Sequence, residues 1–150
     1  MDPQSGAIAE KDFKQAQKEL EAGNVLAALA CLEKALKTWD YPGWYSYLGF
    51  CISKERGHVT RGLELCNKAI AHEENNPVHY LYLGKVYLVA GDKTLALQAL
   101  RQGMSHGGGH GIEELLASIG TRKPPVIPFL SRDNPLNKFL GILLGRLGLR

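Results

Sequence analysis

The side chains with the widest chemistry in this sequence are its histidines and cysteines. His106 and His110 stand four apart, a spacing that on a helix would aim two imidazoles at one divalent metal. Gly107, Gly108 and Gly109 fill the gap, so no helix organises the pair, and no further ligand completes the set at metal-site spacing. The glycine run is not a phosphate loop either, because no strand precedes it and no Gly-Lys-Ser/Thr element follows. Cys31, Cys51 and Cys66 show no CxxC or metal-ligand spacing and read as small apolar side chains buried in helices. His72 and His79 bracket a junction between helices, and Glu113-Glu114 has no catalytic partner in view. No nucleophile, base and orienter set is legible. The expectation is therefore no catalytic residue, no metal and no cofactor, which leaves recognition as the chemistry on offer.

The elements that would present a recognition surface come from a repeat. Four residue columns recur at a spacing of 34: Gly23, Gly57 and Gly91; Ala28, Gly62 and Ala96; Leu32, Cys66 and Leu100; Ala35, Ala69 and Gly103. A fixed period of this length, with small residues at contact points, predicts stacked helical hairpins. Gly23-Asn24, Gly57-His58 and Gly91-Asp92 stop one helix and let the chain reverse, since glycine accepts the left-handed conformation at a helix end. Asn76-Pro77 reads as a helix cap followed by proline in the first turn. Gly49 and Gly84 lie inside helices, where glycine costs about 1 kcal/mol relative to alanine, so a neighbouring helix must pass close to them. Helices are expected over about 10–22, 26–37, 42–55, 59–73, 77–90 and 93–105. A short helix over 112–119, with Ile112, Leu115, Leu116 and Ile119 on one face, has the place and length of a cap on the last repeat. The aromatic cluster Trp39, Tyr41, Trp44, Tyr45 and Tyr47 falls at the first junction and is expected to be core between repeats.

The third unit, Tyr80-x-x-Leu83-Gly84-x-x-Tyr87 followed by Ala96-x-x-x-Leu100, carries a motif. The second unit repeats it as Tyr45-x-x-Leu48-Gly49-x-x-Ile52 and Gly62-x-x-x-Cys66, with one extra residue before Gly57. The first keeps Gly23, Ala28, Leu32 and Ala35 and has Ala16 where the others have the Leu-Gly pair. Over about residues 10–106 the chain resembles the tetratricopeptide-repeat family. The resemblance implies an all-α fold: a superhelical array of three helix-turn-helix hairpins with a short capping helix. It also implies a concave groove lined by the first helix of each hairpin. Carried over by register from Gly49 and Gly84, the groove positions are Ser46, Phe50, Ser53 and Lys54 in unit two and Leu81, Lys85, Leu88 and Val89 in unit three. The implied function is a non-enzymatic adaptor or scaffold that binds a protein or peptide segment. A cytoplasmic chaperone of secretion clients and peripheral membrane attachment are the alternatives.

Composition sets the outer limits. The chain has 150 residues, 45% hydrophobic and 22% charged, ordinary values for a globular domain. It has no run of roughly 18 apolar residues and no signal-type leader, which gives a cytoplasmic expectation. Residues 1–120 carry 12 Lys/Arg against 14 Asp/Glu, whereas 121–150 carry six basic residues against Asp133 alone. The chain thus divides into a repeat domain with its cap, 1–120, and a basic, proline-containing tail, 121–150. Pro124-Pro125-Val126-Ile127-Pro128-Phe129-Leu130 predicts an extended segment. Asn134-Pro135 opens a final helix with Leu136, Phe139, Leu140, Leu143, Leu144 and Leu147 on an apolar stripe. Val126, Ile127, Phe129, Leu136, Phe139, Leu140 and Leu143 are the expected tail contacts, made on the chain's own repeats or on a second copy. No nucleic-acid partner is expected.

Overall fold

The computed structural model describes residues 2–120. Over them the chain forms α1 (Pro3–Glu21), α2 (Val25–Thr38), a short 3-10 turn (Pro42–Trp44), α3 (Tyr45–Arg56), α4 (Val59–His72), α5 (Pro77–Val89), α6 (Lys93–Ser105) and α7 (Ile112–Gly120). The first six pair as antiparallel hairpins, α1 with α2, α3 with α4 and α5 with α6. The hairpins stack in chain order through α2 on α3, α3 on α5 and α4 on α5. No helix among the described residues is long and apolar enough to cross a membrane. The tail residues expected to make contacts, Val126 to Leu143, lie outside the described residues.

Each reversal between paired helices uses the expected glycine. Gly23, Gly57 and Gly91 all have φ between 70° and 81°, the left-handed region that a Cβ disfavours. Asn76 caps α5 by accepting a hydrogen bond from the Val78 amide at 3.1 Å, with Pro77 in the first turn. Asp92 caps α6 the same way through the Leu95 amide, at 3.0 Å. The first helix is longer than expected and begins at Pro3, not near residue 10. Its start carries the same signal: Asp2 accepts from the Ser5 amide at 2.9 Å, and Pro3 occupies the first turn.

The interior glycines mark close helix crossings. A Cβ on Gly49 would stand 2.6 Å from the Gly62 carbonyl oxygen on α4, and one on Gly84 would stand 2.8 Å from the Leu100 side chain on α6. The small residues of the repeat columns are thus the places where α3 meets α4 and α5 meets α6. Leu29, Leu32, Cys51, Cys66, Leu81, Val86 and Leu100 fill one continuous core between them. A second apolar cluster sits at the first junction. There Trp44 stacks on Phe13 at 4.7 Å, and Trp39 and Tyr41 pack on Trp44.

The cap works as the repeat logic requires. Ile112 is fully buried and fits against Gly103, whose missing Cβ leaves the space for it. The preceding residues Gly107, Gly108, Gly109, His110 and Gly111 all have positive φ. The run forms a turn closed by Glu113, both of whose carboxylate oxygens accept from the Gly109 amide, at 3.0 and 3.1 Å. That amide also lowers the carboxyl pKa of Glu113.

Candidate groove on the first helices of the hairpins

The helices α1, α3 and α5 share one face. Tyr47 on α3 joins them, meeting Phe13 of α1 edge-on at 4.9 Å and Tyr82 of α5 at 4.7 Å. Along this face runs a cleft of about 530 Å³. Gln17, Leu20 and Glu21 line it from α1, Tyr47 and Phe50 from α3, and Val78, Leu81, Tyr82 and Lys85 from α5. Gly23, Val25 and His110 complete the rim. A volume of this order, with polar and apolar surface in similar share, matches a small ligand or a few peptide side chains.

Lys85 is the unusual member. Its ammonium lies 5.3 Å from the Phe50 ring centroid and 5.3 Å from that of Tyr82, so two aromatic faces attract it. Among the described residues no carboxylate pairs with it. Burial pulls its pKa below the ordinary lysine value. Tyr82 is pushed the other way, chiefly by burial, and the charge of Glu21 adds to the effect. His110 reaches the rim from a left-handed conformation (φ 55°), unusual for a residue with a Cβ.

Of the expected groove residues, Phe50, Leu81 and Lys85 line the cleft. Ser46 and Ser53 do not; they are 0% and 1% exposed. The reason is helical register. Ser46, Gly49 and Ser53 follow an i, i+3, i+7 stripe, and that stripe faces α4. Ser53 donates to the Gly49 carbonyl at 2.7 Å and packs where Gly62 lacks a Cβ. Lys54 is exposed, Leu88 is half-buried against the core and Val89 is exposed; none of the three lines the cleft. Gln17, Leu20, Glu21, Tyr47, Val78, Tyr82 and His110 also line the cleft and are not among the positions carried over by register. A signal was available for several of them. Val78, Leu81, Tyr82 and Lys85 follow i, i+3, i+4, i+7, and Gln17, Phe50 and Lys85 each stand one residue after Ala16, Gly49 and Gly84.

The histidines and cysteines occupy other sites. Ser46, His79 and Glu73 form a chain: Ser46 Oγ lies 2.7 Å from His79 Nδ1, and His79 Nε2 lies 3.3 Å from Glu73 Oε1. A nucleophile, base and orienter set was not legible in the sequence, yet these three residues fall in that order. With Ser46 and His79 both at 0% exposure, no substrate carbonyl can reach the hydroxyl. The Glu73 carboxylate only accepts, so the proton is assigned to Nε2, and Nδ1 accepts from the serine. Burial lowers the His79 pKa and keeps the ring neutral. The chain is a polar tie between the second and third hairpins. His106 stacks on Tyr80 at 5.0 Å, and His72 meets Tyr41 edge-on. Cys51 and Cys66 are fully buried, and burial pushes both thiols up to about 12, so they stay protonated at neutral pH. Among the described residues no group of three or more His, Cys, Asp or Glu could hold a metal ion.

Three stacked hairpins, the glycine reversals, the small-residue crossings and the terminal cap together define a tetratricopeptide-repeat fold. Among solved structures, the chain is similar to the first TPR of Spaghetti (RPAP3), bound there to the HSP90 peptide SRMEEVD. The match has a TM-score of 0.58 at 14% sequence identity and covers 77% of this chain and 92% of that one. No protein-family model and no curated protein matches the sequence.

Proposed function

We propose that this chain is a non-enzymatic adaptor of the cytoplasm that binds a protein or peptide segment in the cleft on α1, α3 and α5. The observation that carries the reading is the cleft itself: aromatic and aliphatic side chains from the first helix of all three hairpins line about 530 Å³ of open space. A cleft that joins aromatic and aliphatic side chains to a few convergent polar groups is a usual mark of a binding site. The structural neighbour, a TPR domain holding a peptide, supports the same reading. Ser46, which among the described residues has a histidine and a carboxylate behind it, is sealed in the core, which favours binding over catalysis.

Selection from a displayed library of random heptapeptides on the immobilised full-length chain tests this. Enriched peptides should lose about tenfold or more in affinity for Phe50→Asp, a change of about 1.4 kcal/mol or more, and bind Gln98→Asp on the outer face of α6 unchanged. Both variants must melt as the parent does. Peptides that ignore Phe50→Asp, or a selection that enriches nothing, would defeat the proposal.

A further inference from the structure

The cleft is polar at two points, and their charges are opposite. Glu21 lines it from α1 and Lys85 from α5, and Tyr47 and Phe50 line it from α3. Glu21 and Lys85 do not pair with each other, and neither has another ion-pair partner among the described residues. The Lys85 ammonium is half-withdrawn from water over two aromatic rings. A cation in that position gains from an incoming carboxylate, because part of its desolvation has already taken place. A second anion beside it would meet the field of Glu21 and find no second lysine or arginine in the lining. A chain end, which adds an α-carboxylate to any acidic side chain, is therefore poorly matched.

We propose that the cleft takes an internal segment of a protein chain in which one acidic and one basic side chain flank apolar residues. The acidic group seats on Lys85, the basic group on Glu21, and the apolar side chains lie on Tyr47, Phe50 and Leu81. The inference rests on the reading of the cleft as the binding surface. Because the two charges are opposite and come from different helices, they also fix the direction in which the segment lies.

The test uses heptapeptides embedded between flanking linkers, so that no terminus is free, selected on the full-length chain. Enriched sequences are then synthesised acetylated and amidated, and their affinities are measured by fluorescence anisotropy. The enriched set should carry an acidic and a basic residue at a fixed separation around apolar ones. Lys85→Glu should weaken these peptides about tenfold or more and favour versions with lysine at the acidic position. Lys85→Gln, which removes the charge without reversing it, should weaken them less. Glu21→Lys should give the mirror result at the basic position. Because Lys85 is half-buried, each variant is compared at matched melting temperature, and Glu21→Lys, at an exposed site, keeps the test alive if Lys85→Glu fails to fold. Peptides that need Phe50 yet show no charge preference, or that bind better as free acids than as amides, would overturn the proposal and leave the binding cleft standing. A selection that yields no peptide dependent on Phe50 would remove both.

Discussion

His79 shows how one buried residue sets a measurable property of the whole chain. Its ring is 0% exposed, and burial holds its pKa below the ordinary 6.5, with the Glu73 carboxylate acting more weakly in the opposite direction. Between the folded pKa and 6.5 the unfolded chain binds more protons than the folded one, so stability rises with pH across that window. The contribution is fully present above 6.5 and is lost as pH falls through the folded value. Melting temperature should therefore be flat from about pH 8 to 7 and fall from about pH 6.5 to 5. In His79→Gln that slope should flatten, even though the variant melts lower at neutral pH. Parallel curves for the two proteins would assign the acid sensitivity to other groups. The sequence did not reveal this tie. Ser46 and His79 are 33 residues apart, on the first helices of neighbouring hairpins. Only the stacking of α3 on α5 brings them into contact.

Among the elements, the two interior glycines separate a rigid contact from a yielding one. Gly49→Ala drives its new methyl against the Gly62 carbonyl oxygen, a backbone atom that moves only if α3 and α4 part. Gly84→Ala meets Leu100 Cγ and Cδ2 at 2.8 Å, side-chain atoms that can shift where a backbone carbonyl cannot, and gains about 1 kcal/mol in helix propensity. Gly49→Ala should therefore cost about 1–3 kcal/mol in denaturant unfolding and Gly84→Ala clearly less. Equal losses would mean that the two crossings are not distinct in kind. Ala96, 0% exposed at the α5–α6 crossing, should also resist enlargement, and Ala96→Leu is expected to cost about 1–3 kcal/mol. A midpoint unchanged from the parent would show that the crossing is loose. Asn76→Ala removes the cap of α5 and the amide donated to Glu73, and should cost about 0.5–2 kcal/mol. Elements of this kind were legible because glycine reversals, proline-led caps and small-residue columns act locally and leave fixed traces in sequence. The start of α1 was missed although Asp2-Pro3 carries the same trace as Asn76-Pro77, because the apolar periodicity is weak over its first turns. On α3, Ser46 and Ser53 share the buried stripe of Gly49, whereas Tyr47 and Phe50 form the neighbouring one that lines the cleft.

For the molecule as a whole, the repeats assemble a surface that no single hairpin owns. Leu20, Phe50 and Lys85 come from three different units and line one cleft. We propose that residues 1–120 are a self-contained folding unit, since Ile112 and α7 cover the last hairpin. A 1–120 fragment should show the helical circular dichroism of seven helices and unfold in one cooperative transition. A fragment that aggregates or melts without cooperativity would mean that the cap is insufficient. The repeat count and the cap could be read from sequence, but the cleft could not, because its lining depends on how far each hairpin rotates on the last. The central claim is that this cleft binds a protein segment. The most direct measurement is an amide and side-chain NMR titration of the full-length chain with the tightest peptide from the heptapeptide selection. Shift changes should concentrate on Leu20, Tyr47, Phe50, Leu81, Tyr82 and Lys85 and leave Gln98, Arg101 and Gln102 on the outer face of α6 unmoved. Perturbations centred on α6, with the cleft residues unchanged, would contradict it.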